Sequence, residues 1–236
     1  MYGSPAGIAG GLLYSWAVLV MVVDTATPAV TAGLVTVGDD GVTLLDERVT
    51  VDARGAGELL APQITAVLAD CGKTAGDLAA VVAGVGPGPF TGLRAGLVTA
   101  AALGHALALP VYGVCSLDAI GHRLSGRVLV ATDARRKEIY WATYTDGVRD
   151  GEPEVAKPDA VAAALAGVTA AAGEGAERYE AVLRLPITGP RHPSVQALAE
   201  LAAERILDKA PGETLTPLYL RRPDAVAPGE RKPALQ

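Results

Sequence analysis

Aromatic residues are scarce in this chain: one Phe, two Trp and seven Tyr among 236 residues, or 4%. Its 50% apolar content can still bury a sizeable core, which must be built from Ala, Val and Leu. Cysteine is nearly absent. Cys71 and Cys115 are too few for a disulfide framework or a cysteine zinc site, which fits a reducing, cytoplasmic setting. Positive charge is also short, with 20 Lys and Arg against 26 Asp and Glu, a formal net charge of −6 and a pI of about 5.1. That excludes a standalone nucleic-acid binder working through a broad basic face, though not contact with tRNA through a local patch or a partner. The stretch Ile8–Val23 has no charge, but the first basic residue is Arg48, so the positive region of a signal peptide is missing. The run is short for a membrane span, and Gly10, Gly11 and Ser15 dilute it. Residues 1–17 are therefore expected to be a poorly ordered extension, with no membrane association.

What is present reads as α/β. Val18–Val23 is a strand ending at Asp24. Thr31–Val37 and Val42–Val51 form a hairpin through Gly38-Asp39-Asp40-Gly41. Gly57–Asp70 spaces Leu60, Ile64, Val67 and Leu68 as one helical face, closed by Gly72. Strand Leu78–Ala83, a helix from Arg94 to Leu109 ended by Pro110, and strand Val111–Val114 follow. A second pattern then begins. Ser116–Leu124 is a helix with Ser116 as its cap, and Arg127–Thr132 is a strand ending at Asp133. Ile139–Tyr144 is a strand, Pro158–Ala166 a helix, Val168–Ala172 a strand, and Gly173-Glu174-Gly175 a turn. Ser194–Lys209 is a helix and Leu218–Leu220 a last short strand, followed by a Pro-rich, charged tail expected to be mobile. Two related α/β halves, each opening on a strand that ends in Asp, imply a cleft between two lobes. The domains expected are an extension at 1–17, a first lobe at 18–114, a second lobe at 115–221 and a tail at 222–236.

The most informative stretch is Gly84-Val85-Gly86-Pro87-Gly88-Pro89-Phe90-Thr91-Gly92-Leu93-Arg94. A Gly-rich turn between strand and helix can point backbone N–H groups at an anion, or it can be a tight connection that binds nothing. It fits neither G-x-x-x-x-G-K-[ST] nor G-x-G-x-x-G.

With Val22–Pro28, Asp133-Ala134-Arg135, Glu138–Ala142 and Pro217–Arg221, this run resembles the TsaB (YeaZ) family from about Val18 to Arg221. Chains of that family usually begin near Val18. The resemblance implies the two-lobed actin/Hsp70/sugar-kinase-like (ASKHA) fold, an α/β fold with mixed sheets flanked by helices. It implies a part in making N6-threonylcarbamoyladenosine (t6A) next to the anticodon of tRNA. In that pathway TsaB is the partner of the catalytic relative TsaD, joined by the ATPase TsaE. A TsaD homologue, TsaE and, through the complex, tRNA are thus the implied partners, with a homodimer when the chain is alone. No cofactor is required of this subunit; ATP or ADP belongs to the assembled complex.

No catalytic or metal residue is expected. Catalytic relatives hold a metal through His-x-x-x-His on the helix after the glycine turn. Here that helix has His105 alone, with Ala101 and Leu109 at the flanking positions, and His122 and His192 stand apart. Nor does spacing pair a Ser or Cys with a His for peptidase chemistry. A degenerate nucleotide cleft would use Asp24, Thr25, Gly86, Gly88, Asp133, Gly173 and Gly175. The competing reading, which is favoured, is that Asp24 and Asp133 cap turns. Partner contacts are assigned to Leu60, Ile64, Leu97 and Ala101 on the two first-lobe helices. Position 56, often His in relatives, is Ala56. The turn Arg135-Arg136-Lys137 is either a tRNA contact or a solvated charge run. The alternative function is an ASKHA-fold small-molecule kinase or ATPase acting alone, with Mg²⁺ at Asp24 and Asp133.

Overall fold

Alternation along the first strand sets the architecture. In β1 (Ala17–Asp24), Leu19, Met21 and Val23 enter one apolar cluster while Val20 and Val22 enter another. A strand buried on both faces needs a layer above and a layer below. The computed structural model describes residues 16–221; the expected extension before Trp16 and the tail from Arg222 lie outside the described residues.

The first sheet has order β3-β2-β1-β4-β5, with β2 at Ala29–Gly38, β3 at Gly41–Val51, β4 at Leu78–Gly84 and β5 at Val111–Val114. β1 pairs antiparallel with β2 and parallel with β4. Helices α1 (Ala56–Asp70) and α2 (Phe90–Leu107) cover one face. The other face meets α7 (Val195–Leu207), through Val195, Leu198, Ala202 and Ile206. A Cβ on Gly33 would lie 2.5 Å from Val195 Cγ1, so this strand glycine is what lets α7 sit down on β2. The chain's late helix thus packs on its early sheet.

The second sheet has order β10-β6-β7-β8, from β6 (Arg127–Asp133), β7 (Ile139–Thr145), β8 (Val148–Arg149) and β10 (Ala170–Ala172), with β9 (Glu154–Ala156) also on β7. Helix α3 (Ser116–Gly121) packs Leu117 and Ile120 on one face. Helices α4 (Pro158–Ala164), α5 (Glu174–Arg178) and α6 (Glu180–Leu183) supply Val161, Ala176 and Leu183 to the other. The layers run α/β/α/β/α, with α3 and α7 between the sheets. Among the described residues, no helix is long and apolar enough to cross a membrane.

Four expectations need correction. Helix α2 begins at Phe90, four residues before Arg94, with Pro89 in the N-cap position at φ −60°. Ser116 does not cap α3: Cys115 holds that position, and the Ser116 hydroxyl is used elsewhere. Gly173-Glu174-Gly175 is the entry to α5 and not a plain turn, because Gly173 at φ +94° redirects the chain into the helix. Leu218–Leu220 is not a strand: Leu218 N–H donates to Val85 O at 2.9 Å, but Tyr219 N–H turns back to Pro217 O at 3.0 Å.

Candidate functional site

The two lobe-opening strands end in turns of different character. Asp24, at the end of β1, is 1% exposed. Its Oδ1 accepts from Ala26 N–H at 2.9 Å and its Oδ2 from the Ser116 hydroxyl at 2.6 Å. Burial pushes its carboxyl up to about 6, against the lowering pull of those hydrogen bonds. Thr25 ties the same turn to α2: its hydroxyl donates to Gly92 O at 2.7 Å and accepts from Gly96 N–H at 3.1 Å. The Gly-rich run packs on this turn. A Cβ on Gly88 would lie 2.2 Å from Ala26 O, and Gly86 N–H donates to Ser116 Oγ at 3.2 Å.

Asp133, at the end of β6, sits among charges. Its Oδ2 pairs with Arg178 at 3.3 Å, while its buried Oδ1 has no hydrogen-bond partner among the described residues. Its backbone N–H donates to both oxygens of Glu174, at 3.1 and 3.0 Å. Glu174 is buried, which pushes its carboxyl up to about 7 although that N–H works in the other direction. Gly173 and Gly175 allow α5 this approach: a Cβ on either would lie 2.2 Å from Ala131 O or 2.5 Å from the Thr132 carbonyl carbon.

The cleft itself opens elsewhere. A cavity of about 800 Å³ lies between the end of the Gly-rich run, the β6–β7 turn and the C-terminal segment. Gly88, Pro89, Phe90 and Arg94 form one wall, Ala134, Arg135, Arg136 and Tyr140 the second, and Tyr219 to Arg221 the third. In the turn, Arg135, Arg136 and Lys137 have φ of 63°, 53° and 62°. Three consecutive non-glycine residues in left-handed backbone cost about 1–2 kcal/mol each. Hydrogen bonds at its base hold the turn: Ala134 N–H to Glu138 O and Glu138 N–H to Arg135 O, each 2.9 Å. The third wall is strapped to β5 by Glu213 N–H donating to Val111 O at 2.8 Å. Its end reaches both lobes. Tyr219 stacks on Phe90 at 5.4 Å, its hydroxyl accepts from Arg94 Nε at 2.8 Å, and Arg221 pairs with Glu138.

Of the residues assigned from sequence, Gly88, Arg135 and Arg136 line this cavity; Asp24, Thr25, Gly86, Asp133, Gly173 and Gly175 do not. Sequence reasoning missed Phe90, Arg94, Tyr140, Tyr219 and Arg221 as site residues. The available signal was the chain's single Phe, placed in a glycine turn and not in the core. On the helical pair, Leu60, Ile64 and Leu97 lie in the core beneath α1 and α2, and Ala101 is exposed. A helix lying on a sheet turns its whole i, i+4, i+7, i+8 stripe inward. The outer faces carry Ala61, Thr65 and Ala69 on α1, and Val98, Ala101, Ala102 and His105 on α2.

His122 Nε2 contacts Glu200 at 2.8 Å, far along the chain from exposed His105. Among the described residues, no three His, Cys, Asp or Glu side chains gather where they could hold a metal ion. Burial and the neighbouring Asp118 push the Cys115 thiol up to about 12, away from the thiolate a nucleophile needs.

Comparison with known proteins gives these features a family. A family model described as TsaD, tRNA N6-adenosine threonylcarbamoyltransferase, matches residues 50–211. The TsaB protein of Escherichia coli is 34% identical over 152 residues, 60% of this chain and 64% of that one. YeaZ from Pseudomonas aeruginosa superposes with a TM-score of 0.68 at 26% identity, covering 86% of this chain and all of that one. The chain carries a TsaD-type domain and belongs to the TsaB (YeaZ) family. An uncharacterized protein of Mycobacterium tuberculosis is 55% identical over 207 residues, 87% of this chain and 93% of that one. The layered architecture is accordingly the ASKHA-like fold of YeaZ. Phe90, Arg94, Tyr219 and Arg221, which lie apart in sequence, meet at one cleft.

Proposed function

We propose that this chain acts in t6A synthesis on tRNA, as the non-catalytic partner of a TsaD-type transferase. Family membership supports the pathway. The observation that carries the partner role is the outer surface of α1 and α2. Its centre is built from small, uncharged side chains, Ala61, Thr65, Val98, Ala101 and Ala102, with Val98 66% exposed. Small residues let a second helical pair approach closely. The chain's own lobe turn offers no free carboxylate at Asp24, and α2 carries one histidine where catalytic relatives carry two. The complex, with TsaE and ATP or ADP, would then supply the chemistry, and the tRNA would reach this chain through it.

Light scattering coupled to size-exclusion chromatography tests the reading, using the TsaD homologue of the same organism. A one-to-one heterodimer is expected, forming at the expense of any homodimer. Ala101→Glu should weaken it at least tenfold, because a charge would be buried at the contact. Failure to associate at any ratio, with TsaE and ATP present, overturns the partner role. So does ATP turnover by the pure chain that is abolished by Asp133→Ala.

A further inference from the structure

The inter-lobe cavity has a composition that the partner role does not use. This chain is acidic and poor in aromatics, yet Arg94, Arg135, Arg136 and Arg221 line one cavity with three of its aromatic rings and, among the described residues, no lining carboxylate. Glu138 pairs with Arg221 from behind the wall. Phe90, the chain's single Phe, is 55% exposed there, and Tyr219 is 43% exposed. Core burial therefore does not explain them.

The rings are held ready. The Arg94 guanidinium lies 3.8 Å from the Phe90 centroid and 5.8 Å from that of Tyr219, and the rings are 5.4 Å apart. These distances close a triangle, so Arg94 and Tyr219 do not sandwich Phe90 from opposite sides. With Phe90 55% exposed, part of the ring stays open to a planar ligand. Across the cavity, the left-handed Arg135–Lys137 turn places Arg135 and Arg136 in the opposite wall. Strained backbone held by its surroundings is a recurrent mark of binding sites. A planar group on an aromatic face with an anion on nearby arginines is the recognition chemistry of an unpaired nucleotide.

We propose that this cavity binds one unpaired nucleotide of an RNA strand, its base against Phe90 and Tyr219 and its phosphate on Arg135. The proposal deepens the tRNA reading above and rests on it for the source of the strand. It differs from a lobe-turn nucleotide site: Asp24, Asp133, Gly173 and Gly175 are not in it.

Isothermal titration of the full chain, without partners, tests this with two probes: a single-stranded five-residue oligoadenylate and free AMP. The oligonucleotide should bind, and its affinity should fall with salt. Phe90→Leu should weaken it about fivefold or more, the lower range for a lost base stack. Arg135→Gln should weaken it and reduce the salt slope by about one. Lys157→Gln, an exposed cation outside the cavity, should change neither. Each variant's melting temperature is measured alongside, so that misfolding is recognised. AMP binding as tightly as the oligonucleotide would overturn the RNA source and leave a free-nucleotide site. No binding of either probe at 1 mM (roughly the weak end of specific affinities), or binding that is indifferent to Phe90→Leu and Arg135→Gln, would overturn the site itself. Because the partner reading is judged by heterodimer formation, the two can fail separately.

Discussion

Asp24 and Asp133 hold matching places in the chain, each closing the first strand of its half, and they have come to opposite environments. Asp24 is sealed: both oxygens are bonded, Ser116 lies over it, and a Cβ on neighbouring Gly84 would come 1.7 Å from its Oδ2. Asp133 leans on Arg178, a side chain 61% exposed, and leaves one oxygen unbonded. A shared position in two related halves therefore fixes where a carboxylate stands and says little about what it does. In the first lobe the aspartate joins β1, the Gly-rich run and α3. In the second it belongs to a charged cluster with Glu174 and Arg178.

The sharpest way to break this comparison is Gly84→Ala. The added methyl would overlap Asp24 Oδ2 and stand 2.8 Å from Ser116 Oγ. Neither atom is the free end of a flexible side chain. We expect a loss of about 3 kcal/mol or more in denaturant unfolding. Asp24→Ala comes next. It strands the Ser116 hydroxyl and the Ala26 N–H in a dry site, and each unmet group costs about 1–3 kcal/mol. The expected loss is about 2–3 kcal/mol at pH 5, below the raised carboxyl, and smaller at pH 7.5, where the substitution also removes a buried charge; a near-zero effect at pH 5 would show that Asp24 is not the joint described.

How much of this was legible beforehand follows from the range of each interaction. The Asp-ended strands, the hairpin at Gly38–Gly41 and the buried stripe of α1 are local patterns, and the sequence reading found them within a few residues. The sequence pattern starts helix α2 four residues late because Thr91 and Gly92 read as turn, while Pro89 already fixes a backbone angle suited to helix entry. Ser116 has the local pattern of a cap, but its partner, Asp24, lies 92 residues away. The aromatic cleft was invisible for the same reason, since Arg94 and Tyr219 meet across 125 residues. Nothing in the period of α7 says that it covers the first sheet.

A smaller test uses pH and turns on Glu174, the buried neighbour that only the second lobe has. Its folded carboxyl is raised from 4.5 to about 7, and that of Asp24 from 3.8 to about 6. A raised acid binds its proton more tightly folded than unfolded. Its contribution is therefore complete below the unfolded value and is lost as pH climbs through the folded one. Stability should decline from about pH 4.5 to 7. Glu174→Gln should remove roughly 2 kcal/mol of that decline, because the amide oxygen still accepts from Asp133 N–H. Unfolding free energies at pH 5 and 7.5 read the difference directly. An unchanged slope in the variant would mean that Glu174 ionises freely and is not sealed against β6.

The smallest expected effect completes the contrast. Asp133→Ala removes an ion pair whose arginine is mostly in water, and such pairs contribute about 0–1 kcal/mol. It also removes a buried oxygen that has no partner, which offsets part of that loss. Glu174 is not stranded, because it accepts from the Asp133 backbone and not from its side chain. The variant should therefore unfold within about 1 kcal/mol of the parent, well short of Asp24→Ala. Equal losses from the two alanines would mean that the second aspartate is also a structural joint. A tolerated Asp133→Ala leaves the second-lobe turn free of a structural duty, so that any change it makes in the assembled complex reports on function.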